Sequence, residues 1–167
     1  MKITTAALKQ SLSVLESNVL EIIGLAHKYQ VDPLLPKCKT MLDKWIDDCY
    51  NQAGPGYNLQ QLSYLLICFK ILKTGILYDF TELCNKCKNV ISKFPTIYYY
   101  GTEDYFLRVV ESKQRKISYP YSNNVKLDDE LLQQRDECAK QFMSLSLEIQ
   151  RTILFTRVCL FDDLTRK

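Results

Sequence analysis

Histidine occurs once in this chain of 167 residues and glycine only five times. Each scarcity excludes chemistry. A structural zinc site needs four ligands, usually two Cys pairs or one Cys pair with two His. Here a single Cys-x-x-Cys, Cys84-Asn-Lys-Cys87, stands with the lone His27. So few glycines leave no Gly-rich phosphate loop and no Gly-x-Ser-x-Gly nucleophile turn, and they disfavour an architecture of many β-hairpins. Long apolar runs are missing as well. None approaches the ~18 residues that span a bilayer, and the greasiest stretch, residues 62–72, is broken by Ser63 and Lys70. Nor is there an excess of one charge, since the net value is +3. The basic excess lies between residues 57 and 125, nine groups against five acidic ones, densest at Lys113, Arg115 and Lys116. Nucleic-acid binders concentrate more positive charge than this on one face, so the segment reads as a solvated loop and a nucleic-acid partner is not expected.

What is present is the composition of a globular domain, 47% apolar and 25% charged. The length suits one domain, or one and a piece of another, and lets roughly 70% of the unfolded surface be buried. Seven cysteines follow an N-terminus, Met1-Lys-Ile-Thr-Thr, with no apolar signal core. They are expected as reduced thiols that pack as small hydrophobes in a cytosolic or nuclear protein. A redox Cys-x-x-Cys belongs at a helix start after a strand. Cys84 and Cys87 instead share a predicted helix face with Leu83 and Val90, as core thiols. His27 lies off the apolar stripe without a nucleophile or orienting acid nearby and reads as a surface imidazole. The expectation is a protein that is not an enzyme, with no catalytic, cofactor-binding or metal-ligating residue.

Leu-rich periodicity predicts an all-α fold of helical hairpins. Asn18 with Glu21 reads as a capping box, followed by the stripe Val19, Ile22, Ile23 and Ala26. Gly24 predicts a close helix crossing. After Val31, Asp32 is expected as a cap with Pro33 first in the next helix, whose inward face is Leu35, Cys38, Leu42, Trp45 and Cys49. Gln52-Ala-Gly-Pro-Gly56 predicts a linker over 51–57. Beyond it, Asn58 with Gln61 reads as a capping pair, then Leu62, Leu65, Leu66 and Phe69 as a stripe ending near Gly75. Asp79 with Glu82 reads as the next cap, before the face Leu83, Cys87, Val90, Ile91 and Phe94 and the stop at Pro95. The second helices of the two halves align without a gap, Leu34–Leu42 on Leu83–Ile91, whereas the spacing to their first helices reads as several residues different. Such hairpins must stack to bury a face.

Tyr98, Tyr99 and Tyr100 read as a half-buried connection. A short helix with Phe106, Val109 and Val110 inward is expected next, then a polar loop over 113–124. Leu127, Leu131, Cys138 and Phe142 predict a further stripe, its acidic start at Asp128 to Glu130 complementing the helix dipole. Ser146 is expected to cap the last helix, with Ile149, Ile153 and Leu160 inward between Arg151 and Arg157.

One stretch carries a family pattern. Asn18, Val19, Leu25, Ala26, Lys28, Tyr29, Val31, Leu35 and Cys38 stand in the order of the C-terminal helical half of a BTB/POZ domain, which residues 18–42 resemble over about a sixth of the chain. The second hairpin resembles, more loosely, the BACK region that follows BTB domains in many adaptor proteins. The resemblance implies a BTB-like part over 1–50, a linker over 51–57 and a BACK-like helical region over 58–160. It implies a protein–protein interaction module, an adaptor with a cullin scaffold or ligase substrates as partners, capable of self-association. In that family a dimer-forming strand, helices and a central sheet precede this hairpin. The chain is therefore expected to be a truncated or mis-started product, or half of a split protein, which exposes apolar surface and fails to capture a cullin by itself. The rival reading is a self-sufficient helical scaffold. A third is single-strand binding through the tyrosines and the Lys113–Lys116 segment.

Overall fold

A computed structural model describes residues 18–53, 59–101 and 129–165, with side chains as far as Leu160. The architecture is all-α. Among the described residues there are six α-helices, one 3-10 turn and no strand. We label them α1 (18–28), α2 (Leu34–Gln52), α3 (Leu59–Leu77), α4 (Thr81–Lys93), the 3-10 turn (Thr96–Tyr98), α5 (Asp129–Met143) and α6 (Leu147–Thr165). No described helix is long and apolar enough to cross a membrane. Asn58, the residues 102–128 that hold Phe106, Val109, Val110, Lys113, Arg115, Lys116 and Leu127, and residues 1–17 lie outside the described part.

α3 is the centre, lying against α2, α4 and α5, while α4 also meets α2 and α6. That position follows from its composition. Leu62, Leu65, Cys68, Phe69, Ile71 and Leu72 are buried around most of its circumference, as expected of a helix apolar on nearly all sides. One cluster of buried side chains runs from Val19 and Ile23 through Cys38, Leu42 and Phe69 to Phe142 and Ile153. The predicted inward faces lie largely where the periodicity placed them. In α2, however, Ile46 is fully buried while Leu35 and Trp45 are only half-buried, and in α6 Ile153 is buried while Ile149 and Leu160 are only half-buried.

Helix ends differ more. Asn18 is already helical and does not cap α1. Pro33 occupies the N-cap position of α2 with no side-chain bond, so Asp32 caps nothing. Two of the four N–H groups that would want a cap are missing, because Pro33 and Pro36 have none, and Leu34 N–H donates to the Val31 carbonyl. The start of the predicted linker is helical as far as Gln52, with Ala53 N–H closing on Cys49 and Tyr50. Gln61, whose predicted capping partner Asn58 lies outside the described residues, is buried, donates to the Gln52 carbonyl at 3.1 Å and accepts from the Tyr98 hydroxyl at 3.1 Å. α3 ends at Leu77, two residues past Gly75, and the glycine does not itself terminate it. Gly75 makes room instead, since a Cβ there would stand 2.7 Å from Cys84 Sγ.

The predicted Asp79 cap is replaced by a different device. Asp79 has φ 56 and closes α3, donating to the Ile76 carbonyl, while Phe80 N–H donates to the Gly75 carbonyl. These are the paired bonds of a Schellman motif. Phe80 then takes the N-cap position of α4, its own carbonyl accepting from Cys84. With no residue between the two helices to spare, Asp79 cannot also cap α4. The α1–α2 turn repeats this in the same register. Gln30 has φ 54 and donates to His27, and Val31 donates to Ala26. The spacing between the halves is therefore constant at 49 positions, through Ala26 and Gly75, Gln30 and Asp79, Cys38 and Cys87. The several-residue difference expected from the stripes was an error of phase. The equivalents of Val19, Ile23 and Ala26 are Cys68, Leu72 and Gly75, all buried.

Ser146 caps α6 as predicted, accepting from Ile149 N–H at 3.4 Å. Pro95 follows the end of α4, where Phe94 turns extended.

Candidate functional site

Three buried thiols, Cys49, Cys68 and Cys87, lie near one another where α2, α3 and α4 meet, while the other reactive side chains are distributed through core and surface. Cys87 is fully buried on α4, and burial pushes its thiol strongly up; burial likewise raises the half-buried Cys84. Cys68 is held up by its hydrogen bond with Cys49 and by burial, and Cys49 donates to the Tyr64 carbonyl at 3.4 Å. Raised thiols stay protonated and are poor nucleophiles and ligands. Among the described residues, no group of three or more His, Cys, Asp or Glu has the geometry to hold a metal ion. His27 is exposed, its ring 4.8 Å from that of Tyr78.

The tyrosine run is divided between core and surface, with Tyr98 and Tyr99 fully buried and Tyr100 exposed, its ring 6.1 Å from that of Phe142. Tyr99 packs on Phe142 at 4.9 Å and on Phe69 at 6.1 Å. Two arginines that the periodicity reading passed over hold this region. Arg135, 5% exposed, donates to the carbonyls of Gly101 at 2.5 Å and Ile97 at 3.5 Å, and pairs with Asp136 at 3.0 Å. Arg157 donates to the carbonyls of Ser92 and Phe94 at the end of α4. A signal existed for the first: Arg135 lies four residues after Leu131 and three before Cys138, on the inward stripe itself.

What the chain presents outward is more distinctive. Leu25, Tyr29, Val31, Ile76, Leu77, Met143 and Leu147 are all exposed large apolar side chains. They belong to three turns or their flanks: α1–α2, α3–α4 and α5–α6. The turns adjoin. Tyr78 of the second reaches Gly24 and His27 of the first. The second also forms a cleft of about 390 Å3 with the third, lined by Ile76, Leu77, Leu145 and Ile149, with Lys73 at its edge. A separate exposed apolar pair, Phe155 and Val158, lies on α6 beside the exposed Cys159.

Two other clefts have their own character. Leu20, Trp45, Tyr64 and Ile67 line one between α1, α2 and α3, with Asp48 and Lys70. The other is polar, with Lys39 over the Phe80 ring at 4.3 Å. There Lys86 reaches Asp43 at 3.2 Å and, beyond the cleft, Asp47 at 2.9 Å, so its charge is answered within the chain. Comparison with protein-family models, with curated proteins and with solved structures finds no match to this chain.

Proposed function

We propose that this chain is a non-catalytic protein–protein interaction module of the BTB–BACK adaptor type, working in the cytosol or nucleus. The observation that carries the reading is the collection of large apolar side chains on adjoining turns, outside a core that is already closed. Contiguous exposed apolar surface on a folded protein marks an interface. The adaptor assignment rests on the residue pattern from Asn18 to Cys38, and the repetition of the same turn 49 positions later is consistent with a two-unit helical array. In this reading, partners are proteins bound through those faces, with a cullin scaffold or a ligase substrate among them.

The test is quantitative capture from cells with the whole chain as bait, set against a variant carrying Leu77→Glu and Phe155→Glu. Both positions are exposed, so folding is retained. The reading expects stoichiometric partners on the wild type that the variant loses at an unchanged melting temperature. A purified cullin as a second probe separates a ligase adaptor from an adaptor of another kind. Recovery of the same proteins by both forms would overturn the reading.

One observation favours the rival, a self-sufficient scaffold. The buried cluster takes in α1 and α2 together with α3 to α6, so the hairpin is covered by this chain's own helices. A compact monomer that captures nothing would decide for it.

A further inference from the structure

The cleft between the α3–α4 turn and the α5–α6 turn has a composition that selects a partner. Its walls are Ile76 and Leu77 on one side and Leu145 and Ile149 on the other, with Ser144 and Ser146 of the α5–α6 turn also lining it. Leu77 is 72% exposed, and Met143 and Leu147, which flank the α5–α6 turn, are 63% and 68% exposed. Its volume, about 390 Å3, is within the usual size of a binding cleft.

Lys73 at the edge is the deciding group. Its ammonium donates to the Gln141 amide oxygen, and Gln141 in turn donates to Glu137 at 2.5 Å. The lysine is thus positioned beside the apolar walls by an uncharged amide rather than by a carboxylate. This contrasts with Lys86, which two aspartates answer. A ligand that covers the cleft must match both features: aliphatic side chains for the walls and a carboxylate for Lys73. The backbone adds a further selection. No strand edge exists among the described residues, so an extended peptide finds no ladder to join. A polyproline segment docks in an aromatic-lined groove, and no aromatic side chain lines this cleft. The mode that matches aliphatic walls is an amphipathic helix laid between them with anchors three and four residues apart.

We propose that this cleft docks a short amphipathic helix of a partner protein, with two or three aliphatic anchors flanked by a carboxylate that pairs with Lys73. The proposal rests on the interaction-module reading above and names the surface and the partner's chemistry.

The experiment uses a displayed library of 16-residue helical peptides selected on the full chain, followed by titration of the enriched peptides. Three single variants are compared: Leu77→Glu, Leu147→Glu and Lys73→Gln. An acidic residue suits the helix dipole at Leu147, which opens α6, and opposes it only weakly at the exposed Leu77, which ends α3, so all should keep the wild-type circular dichroism. The expected result is enrichment of sequences with aliphatic residues at helical spacing plus Asp or Glu. Binding should be at least tenfold weaker to both glutamate variants, and Lys73→Gln should lose the preference for an acidic residue. No enrichment, equal binding to all forms, or enriched sequences indifferent to Lys73 would each overturn it. So would dimerisation of the chain through this face, seen by light scattering and abolished by Leu77→Glu, because the occupant is then a second copy. If selection fails while the cellular capture above still finds partners, this cleft assignment falls and the interaction-module reading stands. Failure of both removes the two together.

Discussion

Gln30 and Asp79 adopt the same left-handed backbone conformation, φ 54 and 56, at equivalent positions of two helix–turn–helix units. Each closes its helix with the bond pair of a Schellman motif, a place where glycine is the usual residue. A side chain in this conformation costs roughly 1–2 kcal/mol, of which glycine returns part through its own larger loss of freedom on folding. Gln30→Gly and Asp79→Gly should therefore each stabilise the fold by about 0.5–1 kcal/mol. Gln30→Ile, β-branched, should destabilise it. Thermal melts of the three variants check the assignment, and a destabilising Gln30→Gly would count against it.

Leu42 and Lys39 give a contrast on one helix. Leu42 is fully buried in the core, whereas Lys39 is exposed and only overlies Phe80. Leu42→Ala should cost about 2–5 kcal/mol. Lys39→Ala should cost at most about 1 kcal/mol, the size of an exposed cation–π contact. Urea unfolding of both variants measures the difference.

Arg135 should be as consequential as a core hydrophobe. Without its guanidinium the carbonyls of Ile97 and Gly101 lose their partner next to the buried tyrosines. Arg135→Met keeps most of the volume and removes the bonds, so the loss should be about 2–3 kcal/mol. Near-ultraviolet circular dichroism should change with it, since Tyr98 and Tyr99 follow that turn. A variant with wild-type stability and tyrosine signal would show that Arg135 holds nothing.

Thiol labelling should resolve three classes. Cys159 is exposed, Cys84 is intermediate, and Cys38, Cys49, Cys68, Cys87 and Cys138 are buried. Dithiobis-nitrobenzoate at pH 8 should modify Cys159 at once and Cys84 slowly. The five others should wait for unfolding, because burial and raised protonation both suppress attack. Mass mapping of the modified peptides reads the order directly, and early labelling of Cys87 or Cys138 would contradict the packing.

The same burial sets an alkaline limit. Cys87 and Cys138 are raised above an ordinary value of 9.0, first by burial and then by Cys84 for the one and Glu137 for the other. In the unfolded chain they ionise near 9.0, while in the folded protein they stay neutral. The unfolded state therefore binds fewer protons above that pH, and stability falls as pH rises. The contribution is fully present below about pH 9 and is lost progressively above it. Melting temperatures between pH 8 and 10.5 should decline, and less steeply in Cys87→Ala. A slope unchanged by that substitution would assign the loss to other groups.

Periodicity alone was enough to place α2, α4, α5 and α6 and most of their buried faces. Burial of an amphipathic stripe is a local property of spacing, as at Cys38 and Leu42 or Cys138 and Phe142. Helix ends were less legible. A capping pattern such as Asp79 with Glu82 is permitted by sequence, but the tight turn uses Asp79 to close the preceding helix, and only the bonds to Gly75 and Ile76 reveal it. The phase of α3 was also hidden, because a helix that is apolar on nearly every side has no single stripe to read. Arg135 sits in the buried register despite its charge; Asp136 beside it and carbonyls 34 and 38 residues away make it tolerable inside. The candidate surface belongs wholly to tertiary structure. Ile76, Leu77, Leu145 and Ile149 are ordinary residues at or near helix ends, and they line one cleft only because packing around α3 brings turns from distant parts of the chain side by side.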